Sequence, residues 1–237
     1  MYSTDNIKLN GDVLKLIAVI TMFIDHIGSI LFPQIIFLRI IGRISFPIFV
    51  FMIAEGCFYT SNRLKYIFNL SVFAVITQIV KIVFNYNNAL NVMFTFAVAV
   101  VLIFVFDDII ENAETGNTKK VVYLSLLFVC IIGLIYVINS YIKFQYEIWG
   151  CLAPMIVYLS NYVKTENDII PIKLTLLLLA LTLIYMFYGG VQGYAYLAVF
   201  VLMFYSGKKG NILPKYFFYA FYPLHLLVLY ALKILLI

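Results

Sequence analysis

Charged residues make up only 11% of this sequence, where a soluble domain carries about a quarter. A water-facing globule is thereby excluded. Cysteine is equally scarce. Cys57, Cys130 and Cys151 are an odd set, all in or beside apolar runs and none at a metal-ligand spacing, which leaves neither a disulfide framework nor a metal centre to expect. No stretch between apolar runs is long enough for a soluble domain; the longest connection, near 109–119, is a loop. The net charge of +5 is spread along a chain of apolar runs. Nucleic acid is therefore not an expected partner, and the placement of Lys and Arg bears instead on membrane orientation. The start, Met1 to Asp12, is polar and no small-residue cleavage site follows the first apolar run, so no cleavable signal peptide is expected.

What the chain has in excess is apolar surface, with 65% hydrophobic residues and a mean hydropathy of +1.04. A crossing needs about 20 apolar residues, with roughly 17–25 tolerated. Nine runs qualify when short or interrupted ones are admitted, near 14–32, 35–57, 65–84, 92–108, 120–138, 147–163, 170–188, 191–206 and 216–236. Their breaks carry turn formers, among them Phe32-Pro33, Asn85 to Asn88, Glu166-Asn167-Asp168 and Gly189-Gly190. The expected architecture is all-α, a polytopic transmembrane bundle of about nine spans forming a single integral membrane domain over 1–237. Eleven of the sixteen Lys and Arg fall on one side if the N-terminus is inside, which predicts a cytoplasmic N-terminus and a C-terminus outside.

That orientation sorts the polar residues by depth. Asp25 and His26 lie about two-thirds of the way out along the first span, and Arg39 and Arg43 begin the second at a similar level. Asn91 and Thr95, Glu147, Gln192 and His225 also fall in the outer half. Each ionisable group inside a bilayer costs several kcal/mol unless it is paired or wet, so this convergence needs an explanation. Asp25 and His26 leave a helix about 100° apart, which allows one to anchor while the other faces a cavity. A neutral imidazole is the usual general base, and a carboxylate orients it or stabilises its cation; the bland reading of the pair is helix-to-helix packing.

Arg39 and Arg43 share a face at i, i+4, and a guanidinium stays protonated in any setting. Arg39, nearer the interface, has snorkelling as its bland reading. Arg43, deeper and beside Gly42, wants Asp25 or an anionic substrate group, and Pro47 removes a helix hydrogen bond just beyond it. Tyr222-Pro223-Leu224-His225 predicts a broken last helix carrying a second catalytic or orienting histidine. Glu55 reads as a binding or an interfacial carboxylate, Asn91 and Thr95 as a polar pocket or a packing pair, and Glu147 as a member of the outer cluster beside an anchoring Trp149. Lys208 and Lys209 read as topology signals or as a magnet for the phosphates of a cytosolic cofactor.

The segments LKLIAVITMFIDHIG, LRIIGRISFPIFVFMIAEG, NVMFT and FYPLHLLVLY resemble the TraX family of bacterial membrane proteins, from about Leu14 onwards. The most specific pieces are DHIG (Asp25 to Gly28), GRISFPIF (Gly42 to Phe49) and YPLH (Tyr222 to His225); EIWGC (Glu147 to Cys151) departs from the Asp-Tyr-Gly-like motif that the family leads one to expect there. The resemblance implies a multi-pass protein of the bacterial cytoplasmic membrane that transfers an acyl group from acetyl-CoA. The acceptor would be a peptide such as a pilin N-terminus, a glycan or a lipid. It implies a catalytic His26 with Asp25 beside it. On the residue readings given above, Arg43 and His225 would assist, with Arg39, Asn91, Thr95, Glu55, Tyr222, Glu147, Lys208 and Lys209 handling substrate or cofactor. Two rivals stand beside it: a proton-coupled transporter built on Asp25, His26 and Arg43, and a non-catalytic assembly partner whose buried charges only fix helix pairing.

Overall fold

Asparagine opens four of the long helices. An Asn side chain supplies an acceptor for the backbone N–H groups that the first helical turn leaves without partners. Asn10 Oδ1 accepts from Asp12 N and Val13 N at the start of α1, Gly11–Ile30. Asn62 caps α4, Arg63–Val83, through Lys65 N at 2.8 Å. Asn91 caps α5, Val92–Glu114, through Met93 N at 3.0 Å. Asn117 caps α6, Thr118–Tyr141, through Lys120 N. The computed structural model describes residues 8–86, 89–165, 169–210 and 214–236. Of the expected breaks, the Asn87-Asn88 part of Asn85 to Asn88 and the whole of Glu166-Asn167-Asp168 lie outside the described residues.

Among the described residues seven helices are long and apolar enough to cross a membrane. They are α1, the pair α2 and α3 (Ile36–Gly42 and Ser45–Tyr59), α4, α5, α6, α8 (Ile170–Tyr188) and α10 (Lys215–Leu236, apolar from Tyr216). The other two expected runs are short and broken. One is α7, Glu147–Tyr158, extended by a 3-10 turn, Leu159–Tyr162; the other is a 3-10 segment, Gly190–Tyr196, running into α9, Leu197–Leu202. Polar spacers and glycines shorten both: Gly189 and Gly190 sit at φ +57° and +52°, a left-handed backbone that glycine adopts without strain. The break between α2 and α3 also has a local cause. Pro47 has no N–H to give the carbonyl of Arg43, its i−4 partner, and the helix interrupts at Arg43 and Ile44.

At Pro223 the outcome differs from the sequence expectation: α10 runs unbroken through it. A proline removes one backbone bond, and an apolar medium offers the remaining groups no partner better than the helix itself.

The chain divides into two compact units, Met1–Met52 with Ser160–Ile237, and Ile53–Leu159. In the first unit α1 and α10 run parallel, since Lys15 faces Phe218 while His26 faces His225. The chain from Gly190 to Tyr205 runs the other way along α1: Gln192 meets Arg43, which holds Asp25, whereas Leu9 bonds Phe204 and Ser206. In the second unit α7 runs parallel to α5. Thr95 Oγ1 donates to the Gln145 carbonyl at 3.1 Å at one end, and Tyr158 OH donates to Asp107 at 2.9 Å at the other.

Candidate functional site

In α1 the adjacent Asp25 and His26 serve different neighbours. Asp25 turns to α2, where its Oδ2 accepts from Arg39 Nη1 at 2.8 Å and its Oδ1 from Arg43 Nη2 at 2.5 Å. Arg39 Nη1 also reaches the Asp25 carbonyl, and Arg43 Nε donates to the Arg39 carbonyl at 3.3 Å. Charge-assisted bonds of this kind are about twice as strong as neutral ones. Two guanidinium groups on one carboxylate leave this trio with an excess of positive charge. Arg43 Nη1 extends the chain of contacts to Gln192 Oε1 at 3.1 Å.

Glycine makes the approach of α1 and α2 possible. A Cβ at Gly42 would overlap the Asp25 side chain, and one at Gly28 would stand 2.7 Å from Leu38 Cβ. Replacement of Gly42 by Ala is expected to push Asp25 off its arginines and to lower stability by about 1–3 kcal/mol, the usual range for overpacking. Unfolding in mixed detergent micelles measures this; an unchanged midpoint would mean that the helices part freely.

His26 turns to α10. Its Nδ1 lies 2.8 Å from His225 Nε2, and His225 Nδ1 lies 2.8 Å from the Phe221 carbonyl. A carbonyl only accepts, so His225 carries its proton on Nδ1. A neutral His225 then presents Nε2 as an acceptor, His26 donates from Nδ1, and the lone pair of His26 stands on Nε2. The tautomers are read from the bonding network. Aromatic rings hold the pair in place: Phe221 stacks on His225 at 5.0 Å, Phe23 meets it edge-on at 6.0 Å, and Tyr222 lies 5.9 Å from His26. Below them Phe217 and Phe218 continue the aromatic side of α10 towards Lys15, whose Nζ sits 5.4 Å from the Phe218 ring. Lys208 and Lys209 are exposed in the loop that packs over the start of α1, where Gly11 N bonds the Lys208 carbonyl.

The first unit thus gathers Asp25, His26, Arg39, Arg43, Tyr222 and His225. Lys208 and Lys209 also lie in the first unit, whereas Glu55, Asn91, Thr95 and Glu147 belong to the second and are engaged within it or at its surface. Asn91 is fully buried, and its Nδ2 donates to the Ala74 carbonyl and to Gln78 Oε1. Thr95 holds Gln145, and Glu147 pairs with Lys143 at 3.0 Å beside a left-handed Tyr146. Glu55 is buried in α3. Two features have no counterpart among the sequence expectations. One is Gln192 as a partner of Arg43. The other is a network at the far end of α5, where Arg63 bonds Asp107 and Asp108 and Tyr158 shares Asp107. The glycines before Gln192 and the Asp-Asp pair are the only local signals of them.

These elements define a polytopic helical membrane protein with a buried ionic and imidazole centre on its first two helices and α10. The chain belongs to the TraX family, whose model, described as TraX protein, matches residues 10–233. An uncharacterized protein of Rickettsia prowazekii is 44% identical over 68 residues, 29% of this chain and 25% of that protein. The "Probable fimbrial assembly protein FimC, serogroup H1" of Dichelobacter nodosus is 27% identical over 96% of this chain and 97% of its own. No solved structure matches the chain.

Proposed function

We propose that this TraX-family protein is an acyltransferase of the bacterial cytoplasmic membrane. It would move an acetyl group from cytosolic acetyl-CoA to an amine or hydroxyl at or across the bilayer. The observation that carries this reading is the His26–His225 contact, which leaves the lone pair of His26 on Nε2. In the direct route His26 Nε2 takes the proton of the acceptor N–H or O–H as its heteroatom bonds to the thioester carbonyl carbon. The carbon–sulfur bond then breaks, and the thiolate leaves with the proton returned by His26, giving acetylated acceptor and free thiol. His225 holds His26 in the working tautomer and shares the charge of its cation, as an orienting group does in a triad. Asp25, bound by two guanidiniums, fixes the helix hairpin rather than the imidazole.

Exposed Lys208 and Lys209 stand near the start of α1 and fit the phosphates of the donor. From there the aromatic side of α10 leads to the histidines. A relative named for fimbrial assembly makes a pilin-type N-terminus one acceptor to test, alongside glycan and lipid.

The topology that goes with this reading has nine crossings, the N-terminus inside and the C-terminus outside. Parallel α1 and α10 support an odd count. The two short segments follow a good part of a crossing: from Thr95 to Asp107, the part of α5 that α7 follows, is about 18 Å at 1.5 Å per residue, and from Gly11 to Asp25 about 21 Å, against an apolar core of about 30 Å.

Calorimetric titration of acetyl-CoA into the protein in nanodiscs, wild type beside His26→Ala, tests the proposal. The expected result is micromolar binding, with slow hydrolysis or self-acetylation in the wild type alone. A folded wild type that binds neither acetyl-CoA nor CoA removes the transferase reading. The assembly reading, which the FimC name favours, predicts instead that fimbrial assembly survives His26→Gln.

A further inference from the structure

Gln192 is 5% exposed, and its Nε2 has no hydrogen-bond partner among the described residues. The amide cannot turn round to relieve this, because Arg43 Nη1 is a donor and must face Oε1. A buried donor left unmade is costly, so the position asks for an acceptor that arrives from elsewhere. A second observation lies across the same carboxylate. Arg39 commits Nη1 to Asp25, no bond from the described residues engages its Nε or Nη2, and its side chain is 29% exposed. Within the trio two guanidinium groups face one carboxylate, and positive charge in a low-dielectric setting draws an anion. Gln192 joins the Asp25–Arg43 pair through Arg43 and Arg39 joins it through Asp25, and both offer N–H donors of the kind that the oxygens of an anion accept from.

We infer that Gln192 and Arg39 form the binding site for an oxyanion, a phosphate or a carboxylate, carried by the acceptor of the transfer reaction. The inference rests on the transferase reading for the word acceptor, whereas the anion site itself stands without it. The ligand comes either from an anionic lipid headgroup or from a soluble acidic molecule. The chemistry at Gln192 and Arg39 is the same in both: Nε2 and the guanidinium donate to the anion's oxygens, and the excess charge is neutralised. Asp25 and Arg43 are the frame, since their bonds to each other and to Gln192 Oε1 set where Nε2 points.

The discriminating variant is Gln192→Glu. A carboxylate there still accepts from Arg43, so the frame keeps its bond, but the donor is lost and the positive excess disappears. The experiment uses the full chain without acetyl-CoA, so that its result is independent of catalysis. One arm measures phosphatidylglycerol retained by native mass spectrometry after purification from mixed phosphatidylglycerol and phosphatidylcholine. The other titrates inorganic phosphate and acetate in phosphatidylcholine nanodiscs by calorimetry.

The wild type is expected to bind in at least one arm, and that arm names the source. Gln192→Glu and Arg39→Gln are each expected to weaken binding by about tenfold or more, the cost of a charge-assisted bond. Gln192→Leu serves as a check in which donor and acceptor are both removed. Binding that is unchanged in Gln192→Glu, or a folded wild type that binds no anion in either arm, overturns the inference. A wild type that binds the anion but, in the separate titration, binds neither acetyl-CoA nor CoA would instead count against the transferase reading alone.

Discussion

Replacing His26 by Gln is expected to lower acetyl transfer by about 10²–10⁴-fold, the usual contribution of a positioned general base. Glutamine keeps the size and the polarity of the side chain, so the helix contacts of α1 survive and the loss falls on turnover rather than on expression. His225 should respond differently according to what replaces it. His225→Gln leaves an oxygen able to accept from His26 Nδ1, which preserves the tautomer, and a loss of about 10–100-fold is expected, as for other orienting partners. His225→Leu removes the acceptor and releases the His26 ring, so it should approach the His26 variant. The measurement is transfer of labelled acetyl from acetyl-CoA in nanodiscs, with kcat and KM separated. Equal activity in His225→Gln and His225→Leu would show that the imidazole contact at 2.8 Å does not set the protonation of His26.

The second large effect is on stability. Asp25→Ala would strand two guanidinium groups, and removing one partner of a buried ion pair costs about 3–5 kcal/mol. Arg43→Met alone is expected to cost less than Asp25→Ala, because Arg39 remains on the carboxylate at 2.8 Å. The combination Asp25→Leu with Arg43→Met should recover much of the loss, since replacing a buried pair with apolar side chains is often neutral or stabilising. A double-mutant cycle on unfolding in mixed micelles reads the coupling directly. Strict additivity would mean that the trio is solvated and contributes little.

How much of this is legible in the sequence follows from how local each contact is. Asp25, Arg39 and Arg43 lie within one helical hairpin, so the cost of three charges in nineteen residues by itself demands that they pair. The long helices are legible because each is an apolar run of about the length a bilayer needs. The start of α5 coincides with its run, and Asn91 proves to be its cap. His26 and His225 each stand out, yet nothing in their own segments says that they meet. The break expected at Pro223 does not occur, because proline removes one bond while the apolar surroundings enforce all the others. The runs at 147–163 and 191–206 form short helices with 3-10 turns, since composition measures apolar length and not where glycine or a polar cap interrupts it. Gln192 gives only a weak signal, for a physical reason: a neutral amide costs little to bury compared with a charge, and its role becomes visible only once Arg43 is seen to fix its orientation.

The two imidazoles of the central contact stand 199 positions apart in the chain. While the protein is being synthesised, the hairpin with Asp25 and its arginines can close early, whereas His26 has no His225 until α10 has left the ribosome and entered the bilayer beside α1. The nascent chain therefore carries a finished ionic frame and an unfinished imidazole pair through almost the whole of its insertion. Any truncated product that lacks α10 lacks the imidazole pair altogether.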